Sequence, residues 1–399
     1  MSEHPSRICI VGGGFGGLYT ALRLNQFPWN SHQAPEITLV DRNDRFLFVP
    51  LLYELITNEL QAWEIAPSFE KLLAGTSIRF QQATVTGIDC EARAVKLSDQ
   101  STLAYDQLAI AIGGKTSLDL VPGAKEHAIP FYRLSDAETI KQRLRLLENS
   151  GADKIRVAVV GGGYSGIELA CKMADRLGKI GRVRIIELSD EILANSTDFN
   201  RKAAKKALEE RKIWIDYNTE VTDIHADSIS LKFKQEIDTI PVDLVLWTVG
   251  NQVSELIPTL PLKCNSRGSL LIEPTLQVLE HPEIFALGDA AASQDASGNP
   301  IPATAQVALQ QADYCAWNLW ANVVGRPLLP FNYQPLGEMM ALGVDGATLS
   351  GLGVELDGLF AYLLRRLVYL YRLPTFTHQL AVGTHWLAKP LLEWLESTS

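Results

Sequence analysis

Two stretches of this chain repeat one another. Residues 8–24 read ICIVGGGFGGLYTALRL, and residues 157–173 read VAVVGGGYSGIELACKM. Each runs from β-branched residues through a glycine cluster into a helix-forming stretch. GxGxxG is satisfied by Gly12, Gly14 and Gly17 and, 149 residues on, by Gly161, Gly163 and Gly166. In such a turn the first glycine permits the tight bend. The second lets backbone approach a pyrophosphate, and the third lets helix close on strand. The diphosphate then rests at the positive helix N-terminus. One motif alone is weak. Two, each behind a predicted strand and ahead of a predicted helix, predict an α/β fold with two Rossmann-like dinucleotide-binding domains. Each is followed by a strand ending in an acid, EITLVD at Asp41 and RVRIIE at Glu187. The acids lie 24 and 21 residues past the last glycine, near the roughly 20 expected of a ribose-binding carboxylate.

Two dinucleotide sites predict two cofactors. A flavin and a nicotinamide are the economical pair, because one hydride passes from the second to the first. The order follows from IFALGDAAA, residues 284–292, which takes a strand into Gly288 and Asp289. It resembles the second flavin motif of two-dinucleotide flavoproteins, in which the aspartate contacts the ribityl and phosphate region. YDQLAIAIGG, with Gly113, and DLVLWTVGN, with Gly250, resemble the strands that carry the chain between such domains. The expected plan is a discontinuous FAD-binding domain at 1–118 and 268–330 with an NAD(P)H-binding domain inserted at 119–267. A C-terminal module of different composition fills 331–399.

Composition narrows the chemistry. Lys plus Arg total 36 against 46 Asp plus Glu, a net charge of -10. That argues against a nucleic-acid footprint, which needs a basic face. The five cysteines are Cys9, Cys90, Cys171, Cys264 and Cys315, with no CxxC or CxxxxC spacing. A redox disulfide beside a flavin needs two thiols close together, so the electrons are expected to leave to an external acceptor. No metal cluster is expected from these spacings. Neither a secretory leader nor an apolar run of 18 residues is evident, so a spanning helix is not expected.

Three further stretches carry a family resemblance. DRNDRFLFVPLLYEL, residues 41–55, resembles a segment of the type II NAD(P)H:quinone oxidoreductases that runs from the adenosine ribose to the flavin ring. PATAQVALQQADYCAWNL, residues 302–319, resembles that family's AQxAxQ quinone-site motif. Glu168 follows Gly166 by two, where the family carries a glutamate near nicotinamide and flavin. The C-terminal block, including GEMMALGVDGATLSGLG and RRLVYLYRLPTFTHQL, is similar to the cyanobacterial and plastid branch, which reduces prenyl naphthoquinones and prenyl benzoquinones.

The resemblance implies the site. Glu168, Gln306 and Gln310 are the catalytic candidates. Gln306 and Gln310 share a helix face, with Gln306 also at the flavin edge. FAD would be held by Gly12, Gly14, Phe15, Gly16, Gly17, Asp41, Arg42, Pro50, Leu51, Gly113, Gly288 and Asp289. NAD(P)H would be held by Gly161, Gly163, Tyr164, Ser165, Gly166, Glu187 and Gly250. The expected reaction is a ping-pong two-electron transfer to a prenylated quinone. Glu187 disfavours a 2′-phosphate, Arg182 and Arg184 lie nearby in sequence, and the branch points to NADPH, so the nucleotide preference stays open.

The tail suggests how such a substrate is reached. Residues 357–399 carry four Lys/Arg and three Asp/Glu, so the rest of the chain holds -11. DGLFAYLLRRLVYLYRL, with Arg365, Arg366 and Arg372, and a stretch with Trp386, Leu387, Leu391, Leu392, Trp394 and Leu395, read as amphipathic helices for a membrane interface. The expected place is the cytoplasmic side of a membrane, peripherally (thylakoid or plasma membrane for a cyanobacterial source). Docking of these helices on the domains, or a homodimer, is the alternative. Two other classes of function are an iron–sulfur protein reductase and a non-catalytic redox-sensing flavoprotein.

Overall fold

The computed structural model describes residues 4–29 and 34–397, with side chains as far as 389. Along the chain, β1 (Arg7–Val11) leads into α1 (Phe15–Asn25), β2 (Glu36–Asp41), β3 (Arg79–Gln82) and β4 (Gln107–Ile110). Next come β5 (Ala128–Pro130), β6 (Ile155–Val160), α2 (Tyr164–Leu177), β7 (Gly181–Ile186), α3 (Asp198–Glu210), β8 (Trp214–Asp216) and β9 (Leu244–Trp247). The chain continues through β10 (Gln277–Val278), β11 (His281–Ala286) and α4 (Ala305–Val324). It ends with β12 (Glu338–Ala341), β13 (Ala347–Gly351), β14 (Val354–Asp357), α5 (Gly358–Arg372) and α6 (Phe376–Ser397).

These elements form two compact units. The first holds residues 1–47, 66–115 and 252–334, and the second holds 48–65, 116–251 and 335–399. The first is built on a six-stranded sheet in the order β10-β11-β4-β1-β2-β3, parallel except at the β10 edge. Its central β1 is buried from Ile8 to Val11. A parallel strand covered on both faces needs such an unbroken apolar run. The second unit is built on an all-parallel sheet in the order β8-β7-β6-β9-β5. The duplication therefore extends to topology, with β1 between β2 and β4, and β6 between β7 and β9.

The C-terminal segment begins with an antiparallel sheet, β12-β13-β14, and continues into α5 and α6. Among the described residues no helix is long and apolar enough to cross a membrane. The α5 helix has two unlike faces. Leu359, Phe360, Leu363, Leu367 and Tyr371 are exposed, whereas Ala361 and Arg365 are buried. Arg365 is 0% exposed, which corrects its reading as a basic border of an interfacial helix: two buried carboxylates hold it inside the second unit. The side chains of Leu391, Leu392, Trp394 and Leu395 lie outside the described residues.

Candidate functional site

The two glycine loops are built alike. A Cβ on Gly17 would lie 1.8 Å from the Gly12 carbonyl oxygen, and one on Gly166 would lie 1.9 Å from that of Gly161. Only a missing side chain lets each helix close on its loop. Gly12 and Gly161 have φ of +100° and +109°, a region that L side chains rarely adopt. At the helix N-caps, Gly14 and Gly163, a Cβ would meet nothing within 4 Å. That open side faces the helix N-terminus, where unpaired N–H groups favour an anion.

The acids ending β2 and β7 complete each loop. Asp41 accepts the Gly13 N–H at 2.6 Å and the Asn43 N–H at 2.7 Å. Glu187 accepts the Gly162 N–H at 2.5 Å and the Ser189 N–H at 2.8 Å. Each loop thus fits a dinucleotide, with an open helix N-terminus for the diphosphate and a carboxylate beside it for a ribose. Arg184 is paired with Asp216 at 3.1 Å, and Arg182 Nη1 donates to the carbonyls of Lys179 and Gly181.

The first unit holds the expected flavin residues Gly12, Gly14, Phe15, Gly16, Gly17, Asp41, Arg42, Gly113, Gly288 and Asp289, together with Gln306 and Gln310. Phe15 packs edge-on against Phe46, and Arg42 is exposed. Burial raises Asp289 above the ordinary aspartate range, against a hydrogen bond from the Gly114 backbone. On α4, Gln310 exchanges two hydrogen bonds with the Gln334 backbone, at 2.8 and 3.0 Å. Gln306 accepts from the Tyr333 hydroxyl at 2.9 Å. A fully buried amide of α4 that sequence reasoning passed over is Gln311. It accepts the Gly288 N–H at 2.7 Å and donates to Ser293 at 2.6 Å, fixing the turn that carries Asp289.

The second unit holds Gly161, Gly163, Tyr164, Ser165, Gly166, Glu168, Glu187 and Gly250, with Pro50 and Leu51. Leu51 is fully buried, and the Pro50 carbonyl accepts from Arg365 at 2.8 Å. Here a buried ionic cluster forms that spacing alone did not reveal. Arg365 pairs with Glu54 and, at 3.4 Å, with Glu168, and its guanidinium stacks 4.7 Å from the Tyr369 ring centroid. Glu168 also accepts the Ala341 N–H at 2.7 Å. One turn along α2, buried Lys172 pairs with Glu59, which also accepts from the Tyr362 hydroxyl at 3.0 Å.

The two carboxylates that share Arg365 differ. Burial would raise Glu54, but Arg365, Lys172 and Arg366 together hold it below the usual carboxylate range. Burial pushes Glu168 up to about 7, because Arg365 and the Ala341 N–H offset only part of the desolvation and Glu54 opposes them. Two buried acids driven apart around one cation make this cluster a candidate functional site. Glu168 can hold or release a proton near neutral pH. The thiols of Cys9, Cys171 and Cys315 are buried and pushed up to about 12, which suits packing rather than electron transfer.

Comparison with known proteins bears on the whole chain. Residues 6–312 match the family model described as pyridine nucleotide-disulphide oxidoreductase. The chain is 57% identical to demethylphylloquinone reductase NdbB of Synechocystis sp., over 100% of this chain and 99% of that protein. It is 42% identical to alternative NAD(P)H-ubiquinone oxidoreductase C1, chloroplastic/mitochondrial, of Arabidopsis thaliana, over 90% of this chain and 77% of that one. The fold is similar to NDH2 from Plasmodium falciparum, with a TM-score of 0.86, 20% identity, and coverage of 97% and 98% of the two chains.

Proposed function

We infer, for a chain that belongs to the pyridine nucleotide-disulphide oxidoreductase family and within it to the type II NAD(P)H:quinone oxidoreductases, that this protein is a flavin-dependent NAD(P)H:quinone oxidoreductase. Its substrates are prenylated naphthoquinones and benzoquinones, with demethylphylloquinone first among them by kinship to the Synechocystis enzyme. The observation that carries this reading is the doubled, separately complete dinucleotide loop. FAD is assigned to the loop Gly12–Gly17 and NAD(P)H to the loop Gly161–Gly166. A bound flavin supplies a two-electron acceptor for hydride and a donor to quinone.

The chain's own residues do the positioning. Asp41 and Glu187 each hold a loop glycine N–H and face a ribose. Gln311 fixes the Gly288-Asp289 turn. Glu168, poised near 7, holds or releases a proton at its carboxylate during turnover. Gln306 and Gln310 are proposed at the quinone side of the flavin domain, with the Gln310 amide anchored by the backbone of Gln334.

The outward row of α5 favours peripheral attachment to a membrane, which is proposed at its cytoplasmic face. Leu359, Leu363, Leu367 and Tyr371 recur every four residues and lie on one helix face, 51–74% exposed. A prenylated quinone is delivered from such a surface.

Mixing the purified yellow protein with NADH or NADPH, and then with a short-chain naphthoquinone, tests the reaction. The flavin should bleach with nucleotide and recover its colour with quinone. Bleaching without quinone-dependent recovery would overturn the quinone reading.

A further inference from the structure

The walls of the nucleotide loop are held by a residue far away in sequence. Glu338, on β12, receives three donors on one carboxylate oxygen: the Tyr164 hydroxyl, the Ser196 hydroxyl at 2.8 Å and the Asn200 amide at 2.9 Å. Tyr164 also reaches Ser196 at 2.5 Å. Asn200 is fully buried and donates at 2.8 Å to Ser350, the residue paired with Glu338 across β12 and β13.

Each donor comes from a different part of the loop's surroundings. Tyr164 is the first residue of α2, directly after the N-cap Gly163. Ser196 ends the segment that begins at Glu187, and the Leu193 N–H of that segment donates to the Gly162 carbonyl at 3.0 Å. Asn200 opens α3. The helix N-terminus that faces the diphosphate and the segment that follows the ribose carboxylate are therefore tied to one acid.

The backbone forces that acid into place. Gly337 has φ of +109°, and a Cβ there would lie 2.3 Å from the Ser350 carbonyl oxygen. A Cβ on Gly351 would lie 2.5 Å from the Gly337 Cα. Two side-chain-free residues let the strands touch just before Glu338 and set its register. Three donors converging on one charged acceptor form a stronger tie than neutral hydrogen bonds would.

We propose that Glu338 is a positioning residue for the dinucleotide site. It clamps the α2 N-terminus and the 187–197 segment at the separation that a bound NAD(P)H requires, so the C-terminal sheet takes part in nucleotide affinity. The proposal rests on the reading of Gly161–Gly166 as the NAD(P)H loop. It involves no proton transfer and no contact of Glu338 with the nucleotide.

Steady-state kinetics and equilibrium nucleotide binding on the full-length flavin-loaded protein test it, with Glu338→Gln, Ser196→Ala and Tyr164→Phe. Each should raise KM and Kd for the nucleotide roughly 5- to 30-fold, as expected for loss of a charge-assisted hydrogen bond. For Glu338→Gln and Ser196→Ala the KM for quinone and kcat at saturation should move by less than about twofold, the pattern of lost uniform binding. Tyr164→Phe added to Glu338→Gln should cost little more than Glu338→Gln alone, because coupled neighbours are not additive. Tyr164→Phe removes one oxygen and keeps the ring, so it reports even where a Glu338 variant folds poorly. Unchanged nucleotide Kd in Tyr164→Phe and Ser196→Ala, with the parent binding normally, overturns the clamp. Failure of the parent protein itself to bind NADH or NADPH overturns the loop assignment instead.

Discussion

Glu168→Gln separates the two faces of the buried cluster. In the folded chain Glu168 is raised from its ordinary value of 4.5 to about 7 by burial, which Arg365 and the Ala341 N–H only partly offset. The folded protein therefore binds this proton more tightly than the unfolded chain does. The associated stability is full below pH 4.5 and is lost as pH rises through about 7. At about 1.4 kcal/mol per pH unit, the gap between the two values corresponds to roughly 3 kcal/mol lost by mildly alkaline pH. A glutamine mimics the protonated acid. Its carbonyl still accepts from Ala341, and Arg365 keeps Glu54 as its partner.

Urea unfolding of parent and variant between pH 5.5 and 8.5 is the assay. The variant should already be more stable by about 1–2 kcal/mol at pH 5.5, and the gap should widen to about 3 kcal/mol at pH 8.5. In the same samples, the parent's limb of kcat near pH 7 should be missing from the variant, whose turnover is lower throughout. Parallel stability curves across that range would refute the argument that burial raises Glu168. An unchanged pH limb would refute its part in proton movement.

Three other outcomes follow from the geometry. Arg365→Met leaves Glu54 buried without its main cation and should cost about 3–5 kcal/mol of unfolding free energy; adding Glu54→Gln should restore part of the loss. Gly17→Ala and Gly166→Ala each place a Cβ against a loop carbonyl, so the first should purify colourless and the second yellow but unable to bind nucleotide, as absorbance and nucleotide titration will report. Leu363→Glu with Leu367→Glu on α5 removes two exposed apolar side chains, each worth about 1.5 kcal/mol or more if buried in lipid, and should weaken liposome flotation roughly 100-fold or more while turnover of a short-chain quinone persists.

The fold was legible where local geometry leaves one option. The glycine spacing, the apolar strands β1 and β6, and the acids Asp41 and Glu187 each belong to a tight strand–turn–helix whose geometry is set by neighbours in sequence. The ionic cluster was not legible, because long-range pairing carries no periodicity. On α2, Tyr164, Glu168, Lys172 and Asp175 recur at helical spacing, but only Tyr164 and Glu168 are singled out by the motif. In the structure that row meets Glu338, the Ala341 N–H, Glu59 and the Val344 N–H in turn. Arg365 misled for the same reason: in a helix rich in leucine and tyrosine, an arginine looks like an edge until its acids are located. On α4 the family motif drew attention to Gln306 and Gln310, while the amide that holds the aspartate turn is the adjacent Gln311.

The Arg365–Glu54 pair spans 311 residues, and that distance sets an order of events during synthesis. At about 5–20 residues per second, roughly 15–60 s pass between the emergence of Glu54 and that of its partner. Until then Glu54 lacks the guanidinium it is buried against, so packing the segment 48–65 on α2 leaves its carboxylate without its main partner in a low-dielectric interior. The nascent chain is thereby kept from finishing its second unit early. A chain that stops before Arg365 keeps both glycine loops but lacks the counter-ion of Glu54 and Glu168, and should be less stable for it.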